Sequence, residues 1–152
     1  MRNVSAERTL TAPTTDVWAV LADYPNISNW NEAMTQSLAL GDATEGVGAA
    51  RECQFGSKGS IKMRETVTEW VPQQKMVIAV DKVEKQLIKS ASMTITLSED
   101  GGATPFAMVY DYEPKGGPLA LAYGPILDRV FKKGFHAFMN DLETAAHGRA
   151  SR

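Results

Sequence analysis

The chain has 152 residues, with 16 Lys and Arg against 18 Asp and Glu, a formal net charge of −2 and a pI near 5.7. That balance argues against the broad basic surface needed to hold nucleic acid or an anionic membrane, and the length suits one domain that buries its core without disulfides or metals. The single cysteine, Cys53, has no internal partner and fits a reducing compartment. The opening Met1 to Ser5 lacks the apolar core of a signal peptide, and no apolar run approaches the roughly 20 residues of a membrane span, so a cytoplasmic location is expected.

Val4 to Thr11 mixes small, apolar and β-branched residues with Glu7 and Arg8, as a strand tied into a sheet would. Pro13 ends it, and Thr14 or Thr15 is placed to cap a helix with Asp16 in its first turn and an apolar face of Val17, Trp18, Leu21 and Ala22. Tyr24-Pro25 stops this helix, because a residue before proline is pushed out of helical geometry. A second short helix over Pro25 to Asn29 leads to Trp30 and a polar connection.

Strand and turn signals then alternate. Strands are expected over Thr35 to Leu40, Gly48 to Phe55, Ser60 to Val71, Lys75 to Val80, Leu87 to Ser98 and Thr104 to Glu113, with a hairpin loop at Gly56 to Gly59 and an open charged loop at Asp81 to Gln86. In Leu87 to Ser98, Leu87, Ala91, Met93, Ile95 and Leu97 share one face, broken only by Lys89. In the following strand Phe106, Met108, Tyr110 and Tyr112 share another. Ser60 to Val71 is mixed: Ile61, Met63, Glu65, Val67 and Glu69 lie on one side and Lys62, Arg64, Thr66, Thr68 and Trp70 on the other. Transfer cost favours Met63 and Val67 inward, and a bulge is the means by which Arg64 or Glu65 would reach the interior.

Gly116 to Ala146 reads as one long helix whose stripe of Leu127, Phe131, Phe135, Phe138, Leu142 and Ala145 must be buried. Everything from Arg51 to Glu113 reads as strands, so its partner is a sheet. The order of one strand, two short helices, six strands and one long helix predicts an α+β fold in which consecutive antiparallel strands curl into a groove and the helix lies along it. A single domain over 1–147 is expected, with a disordered tail at 148–152. Ile78, Val80, Met93, Ile95, Met108, Tyr110 and Tyr112 then face the helix stripe, either as a solid core or as the wall of a cavity. Seven methionines, which adapt to irregular space, and two tyrosine hydroxyls on an apolar face fit a cavity.

Signals for chemistry are sparse. His136 and His147 have no geometry for a shared metal site, Cys53 reads as a small buried hydrophobe, and Glu65 and Glu69 share a strand face without being close partners. No nucleophile elbow, phosphate-cradling loop or dinucleotide fingerprint is present, so no metal, cofactor or catalytic residue is assigned.

The segments Ala12-Pro13 through Val17-Trp18, Leu21-Ala22-Asp23 and Trp30, then Gly46-Val47-Gly48 with Arg51, Glu65 to Pro72, and the closing helix resemble the polyketide cyclase/dehydrase family of the START/Bet v 1-like (SRPBCC) superfamily. The resemblance spans nearly the whole chain. It implies a helix-grip fold, a seven-stranded curved antiparallel sheet wrapped around the long C-terminal helix and enclosing a cavity for lipids, sterols, polyketides or aromatic molecules. The candidate ligand-binding residues are Met63, Arg64, Ile78, Val80, Met93, Met108, Tyr110, Tyr112, Leu127, Phe131 and Phe135.

Three functions follow from this. The first is a carrier or sensor of a small hydrophobic molecule, gated by Gly56 to Gly59, Asp81 to Gln86 and Gly116 to Pro118. The second is an enzyme of the cyclase or dehydrase type, in which Tyr110, Tyr112 or Arg64 would polarise a carbonyl. The third is a protein-interaction module with a filled core and an exposed apolar patch near Ile27 and Trp30.

Overall fold

The computed structural model describes residues 1–84 and 87–150. Seven strands, β1 (Arg2–Leu10), β2 (Met34–Leu40), β3 (Ala50–Phe55), β4 (Ile61–Val71), β5 (Lys75–Glu84), β6 (Ile88–Leu97) and β7 (Thr104–Pro114), form one antiparallel sheet in the order β1-β7-β6-β5-β4-β3-β2. Each strand from β2 to β7 pairs with its sequence neighbour, as tight turns require. β1 instead pairs with β7, the last strand, so α1 (Thr14–Ala22) and a 3₁₀ turn (Tyr24–Asn29) carry the chain from one edge of the sheet to the other. α2 (Ala120–Ala150) lies across the inner face.

Alternation decides which side chains reach that face. Val4, Ala6 and Leu10 of β1, Ile78 and Val80 of β5, Ala91, Met93, Ile95 and Leu97 of β6, and Phe106, Met108, Tyr110 and Tyr112 of β7 are all buried. Where alternation fails in the sequence, the backbone carries a bulge. β4 shifts register between Val67 and Glu69. Before the shift Met63, Glu65 and Val67 turn inward; after it Trp70 packs edge-on against Trp18 of α1, with ring centroids 5.1 Å apart, and Glu69 pairs with Lys75 at 3.2 Å.

A second shift, between Ile88 and Ser90, corrects the expected face of β6. Ile88 is fully buried and Leu87 is 53 % exposed, so the bulge exchanges their sides and leaves Lys89 outside, paired with Glu113 at 3.6 Å. The expected open loop after Val80 is also corrected. β5 continues to Glu84, with Asp81 opposite Arg64 and Glu84 opposite Lys62 across a third register shift, while Lys82 takes left-handed backbone at φ 48°. Lys85 and Gln86, which belonged to that expected loop, lie outside the described residues.

The helix ends differ from expectation as well. Thr14 does not cap α1: its hydroxyl donates to the Ser98 carbonyl at 3.0 Å and shares a 3.0 Å hydrogen bond with Thr104, tying the helix start to the sheet. α2 begins at Ala120, not at Gly116, because Gly116 and Gly117 adopt left-handed φ values of 99° and 52° that no right-handed helix contains. It also runs to Ala150, through residues expected in a disordered tail. Its final turns are tied down by Ala146, fully buried, by His147 at 2.8 Å from the Thr11 hydroxyl, and by Arg149 at 3.9 Å from Asp16.

Candidate functional site

The C-terminal half of α2 fills its side of the groove, with Met139, Leu142 and Ala146 fully buried. Nearer its start the curved sheet and the helix do not meet. Between them is a cavity of about 350 Å³, at the lower end of the roughly 300–1,000 Å³ typical of small-molecule sites.

The sheet contributes Met63, Met76, Ile78, Met93, Ile95, Met108 and Tyr110 to its walls, and α2 contributes Val130, Phe131, Gly134, Phe135 and Phe138. α1 and the segment after it add Val20, Leu21, Ile27 and Trp30, with Met34 of β2 and Phe55 of β3. Tyr110 is held between two phenylalanines, its ring centroid 5.1 Å from Phe131 and 5.4 Å from Phe135, both edge-on. Trp30 meets Phe138 in the same way at 5.0 Å. Among the lining residues Ala33, Val130 and Gly134 are exposed and mark an opening between α2 and the β2–β3 edge.

One wall is charged. Arg51 of β3 donates from Nε to Glu65 Oε1 of β4 at 2.8 Å and from Nη1 to the Tyr24 carbonyl at 2.8 Å, while its guanidinium lies 3.9 Å over the Tyr24 ring. Both charges are buried. Burial alone would lower the Arg51 pKa, but the charge of Glu65 overrides it and holds the guanidinium still more firmly protonated. Cys53 donates to the same Glu65 oxygen at 3.3 Å, and burial, reinforced by the Glu65 charge, pushes its thiol up, so it stays protonated. Burial likewise raises Tyr110, with Glu65 adding to the effect, so its hydroxyl stays neutral.

Of the side chains expected from sequence to bind a ligand, Met63, Ile78, Met93, Met108, Tyr110, Phe131 and Phe135 converge on this cavity. The other four do not line it. Arg64 points to the outer face, where it makes a two-pronged pair with Asp81 at 2.7 and 2.6 Å. Val80 is buried in the sheet core opposite Glu65 and Ala91, and Leu127 is buried under the first turns of α2. Tyr112 is fully buried with its hydroxyl 2.5 Å from Asp128 and 3.3 Å from the Gly124 carbonyl. The expected surface patch at Ile27 and Trp30 is also corrected, since Ile27 is buried and both line the cavity. Among the described residues of the expected gates, the Gly56 to Gly59 loop adjoins the lining, through Phe55.

Sequence reasoning missed Arg51 and the walls that come from α1 and the segment after it. Arg51, Cys53 and Phe55 fall on one face of β3 by simple alternation, and that two-residue spacing was the available signal for an inward arginine.

A curved seven-stranded antiparallel sheet gripping a long C-terminal helix around a cavity is the helix-grip architecture of START and Bet v 1-like proteins. The chain belongs to the polyketide cyclase / dehydrase and lipid transport family, whose model matches residues 1–147. Solved structures agree on the fold. The protein TTHA0849 from Thermus thermophilus is similar with a TM-score of 0.81 at 14 % identity, covering 97 % of this chain and 99 % of that one. The Zhui aromatase/cyclase from Streptomyces sp. R1128 has a TM-score of 0.81 at 16 % identity, covering 98 % and 95 %. A START superfamily protein from Mycobacterium smegmatis has a TM-score of 0.79 at 13 % identity, covering 96 % and 97 %. No curated protein matches the chain in sequence. Among the described residues no helix is long and apolar enough to cross a membrane.

Proposed function

We propose that the chain binds one small hydrophobic molecule between its sheet and α2, as a cytoplasmic carrier or sensor. The observation that carries this reading is the 350 Å³ gap itself: its walls are methionine, aliphatic and aromatic side chains from six strands, β2 to β7, from both helices and from the segment between α1 and β2. Close-packed interiors do not keep such a space without use, because unfilled volume forfeits dispersion contacts. It also weighs against an interaction module with a filled core. The family's range, from polyketide cyclases to lipid transport, supports an apolar guest. The modest volume favours a compact one over an extended lipid.

The test is thermal shift combined with native mass spectrometry against fatty acids, sterols and aromatic polyketides. A one-to-one complex with a raised melting temperature is expected for at least one compact member. Failure of every class to bind or to stabilise would remove the carrier reading.

A cyclase- or dehydrase-type enzyme is the second reading, favoured by the buried Arg51–Glu65 pair and the neutral Tyr110 hydroxyl on the same cavity wall. A carboxylate and a neutral phenol facing one guest are the groups that accept and donate protons at a carbonyl. If a product is seen, Tyr110→Phe lowers turnover while leaving affinity within a few-fold.

A further inference from the structure

We infer that the first turns of α2 and the turn before them dock the protein on an anionic lipid surface, with Leu119, Leu121 and Ile126 entering the headgroup boundary and a belt of cations meeting the phosphates. This surface is separate from the cavity, and its use does not depend on what the cavity holds.

The large apolar side chains that folding leaves exposed gather at this end of the molecule. Leu119, in a 3₁₀ turn (Gly117–Leu119), is 72 % exposed, and Leu121 and Ile126 of α2 are 79 % and 62 % exposed. The strand ends bring one more beside them: the Lys115 backbone N–H donates to the carbonyl of Leu87, itself exposed just before β6, at 2.9 Å. Val130 follows Ile126 by one turn of the helix and is exposed at the cavity opening. Exposed apolar residues scattered singly are ordinary, whereas a cluster of this kind marks a contact surface.

The charges beside the cluster have one sign. From Lys115 to Met139 the chain carries four cations, Lys115, Arg129, Lys132 and Lys133, and one carboxylate, Asp128, which pairs with Arg2. Among the described residues none of the four cations has an ion-pair partner, and Arg129, Lys132 and Lys133 are exposed. Ile126, Arg129 and Lys133 follow one another at three- and four-residue steps, with Leu121, Pro125 and Lys132 on the adjoining strip, so greasy and basic residues share one outer face of α2. A net charge of −2 excludes a broad basic surface, yet the fold concentrates positive charge on this strip.

That pattern selects among occupants. A second copy of the chain would set cations against cations. A protein partner would need a groove that grips the leucines, but side chains this exposed project singly, and lysine is depleted from protein interfaces. A bilayer needs no groove: its boundary takes separately projecting apolar groups, and lysines are drawn to anionic headgroups. Docking in this way would put the cavity opening at Val130 and Gly134 within about two helical turns of the lipid.

Cosedimentation of the full chain with lipid vesicles tests this. Vesicles with about 30 % phosphatidylserine should bind it roughly tenfold more tightly than phosphatidylcholine alone, and about 0.5 M NaCl should remove the difference. Lys132→Glu with Lys133→Glu should weaken binding to the anionic vesicles about tenfold, and Leu119→Ser with Leu121→Ser by a similar factor. Val47→Ser, an exposed apolar site at the opposite end of β3, should leave it unchanged. Circular dichroism of these surface variants should match the parent; if a double variant unfolds, Lys133→Glu and Leu121→Ser alone carry the comparison. Absence of binding to anionic vesicles, or binding that neither pair of substitutions weakens, overturns the inference. A dimer in analytical ultracentrifugation that Leu119→Ser with Leu121→Ser dissolves, or binding of poly-glutamate without binding of vesicles, assigns the face to a second copy or to an acidic protein and overturns it as well.

Discussion

Arg51 Nε lies 2.8 Å from Glu65 Oε1 across neighbouring strands, and both residues are buried at the wall of the cavity. A pair placed there is costly to desolvate, and removing one partner leaves an uncompensated charge. Arg51→Met and Glu65→Leu alone should each destabilise the fold by about 3–5 kcal/mol. The double variant should recover a large part of that loss, since apolar residues of similar volume replace both charges. Urea unfolding of all four proteins in a double-mutant cycle measures the coupling.

Leu142 and Phe131 lie on the same side of α2, but only Leu142 is packed on all sides. Leu142→Ala should cost about 2–5 kcal/mol through a new void. Phe131→Ala borders existing space and should fall near or below the low end of the roughly 3–5 kcal/mol seen for fully packed phenylalanines. Its larger effect is expected on guest binding, through the lost edge-on contact to Tyr110 at 5.1 Å. Chemical denaturation and calorimetry on the two variants give both numbers.

Acid and alkali should act through different residues. Hydrogen bonding to Arg2 holds Asp128 below the usual carboxylate range, and Arg64 does the same for Asp81. A carboxylate depressed by folding contributes stability above its unfolded pKa and loses it as pH falls through the folded value, so melting temperature should decline below about pH 4. Asp128→Asn and Asp81→Asn should each flatten part of that decline. Tyr112 is pushed up to about 12, chiefly by burial and also by Asp128, while Tyr24 and Tyr110 are raised by burial too. A raised phenol contributes stability below its unfolded pKa, near 10, and loses it as pH rises through the folded value, so a second decline is expected from about pH 10 upward. Tyr112→Phe should weaken the alkaline limb, as read by melting temperature against pH.

At the opening, a Cβ added to Gly134 would meet no atom within 4 Å. Gly134→Ala should therefore stabilise α2 by about 0.8–1 kcal/mol, the usual helix penalty of glycine. Gly134→Leu, by contrast, should narrow the passage beside Val130 and slow guest exchange with little loss of stability. Stopped-flow release of a fluorescent apolar probe distinguishes the two variants.

Gly124 behaves differently, although it lies in the same helix. A Cβ there would come within 2.7 Å of the Arg2 guanidinium, which pairs with Asp128 at 2.5 Å. Gly124→Ala should displace that pair and cancel most of the helix gain, because a partly exposed ion pair and the helix preference of alanine over glycine are of similar modest size. Comparison with Gly124→Ala in an Arg2→Ala background, where the full gain should reappear, checks this by thermal unfolding.

The order of elements, the inward faces of β5 and β7 and the apolar stripe of α2 were legible in the sequence, because burial against one partner imposes a period that the residues themselves display. Where strands stray from that period, the sequence showed the conflict without its resolution. The mixed face of β4 and the Lys89 break in β6 are each settled by one extra backbone residue, whose position depends on how neighbouring strands pair. The start of α2 depended on two glycines in left-handed backbone, a choice open to glycine but not required of it.

Local pattern thus determined a long helix laid along a groove of antiparallel strands and the part of the apolar wall that comes from β4 to β7 and α2, and the family resemblance supplied the helix-grip fold. Tertiary structure alone decided that the wall encloses space, that Arg51 and Glu65 meet across it, and that Arg64, Val80, Tyr112 and Leu127 stand elsewhere. Periodicity reports the side of an element on which a residue lies, whereas a void and an ion pair depend on the distance between elements set by the twist of the whole sheet.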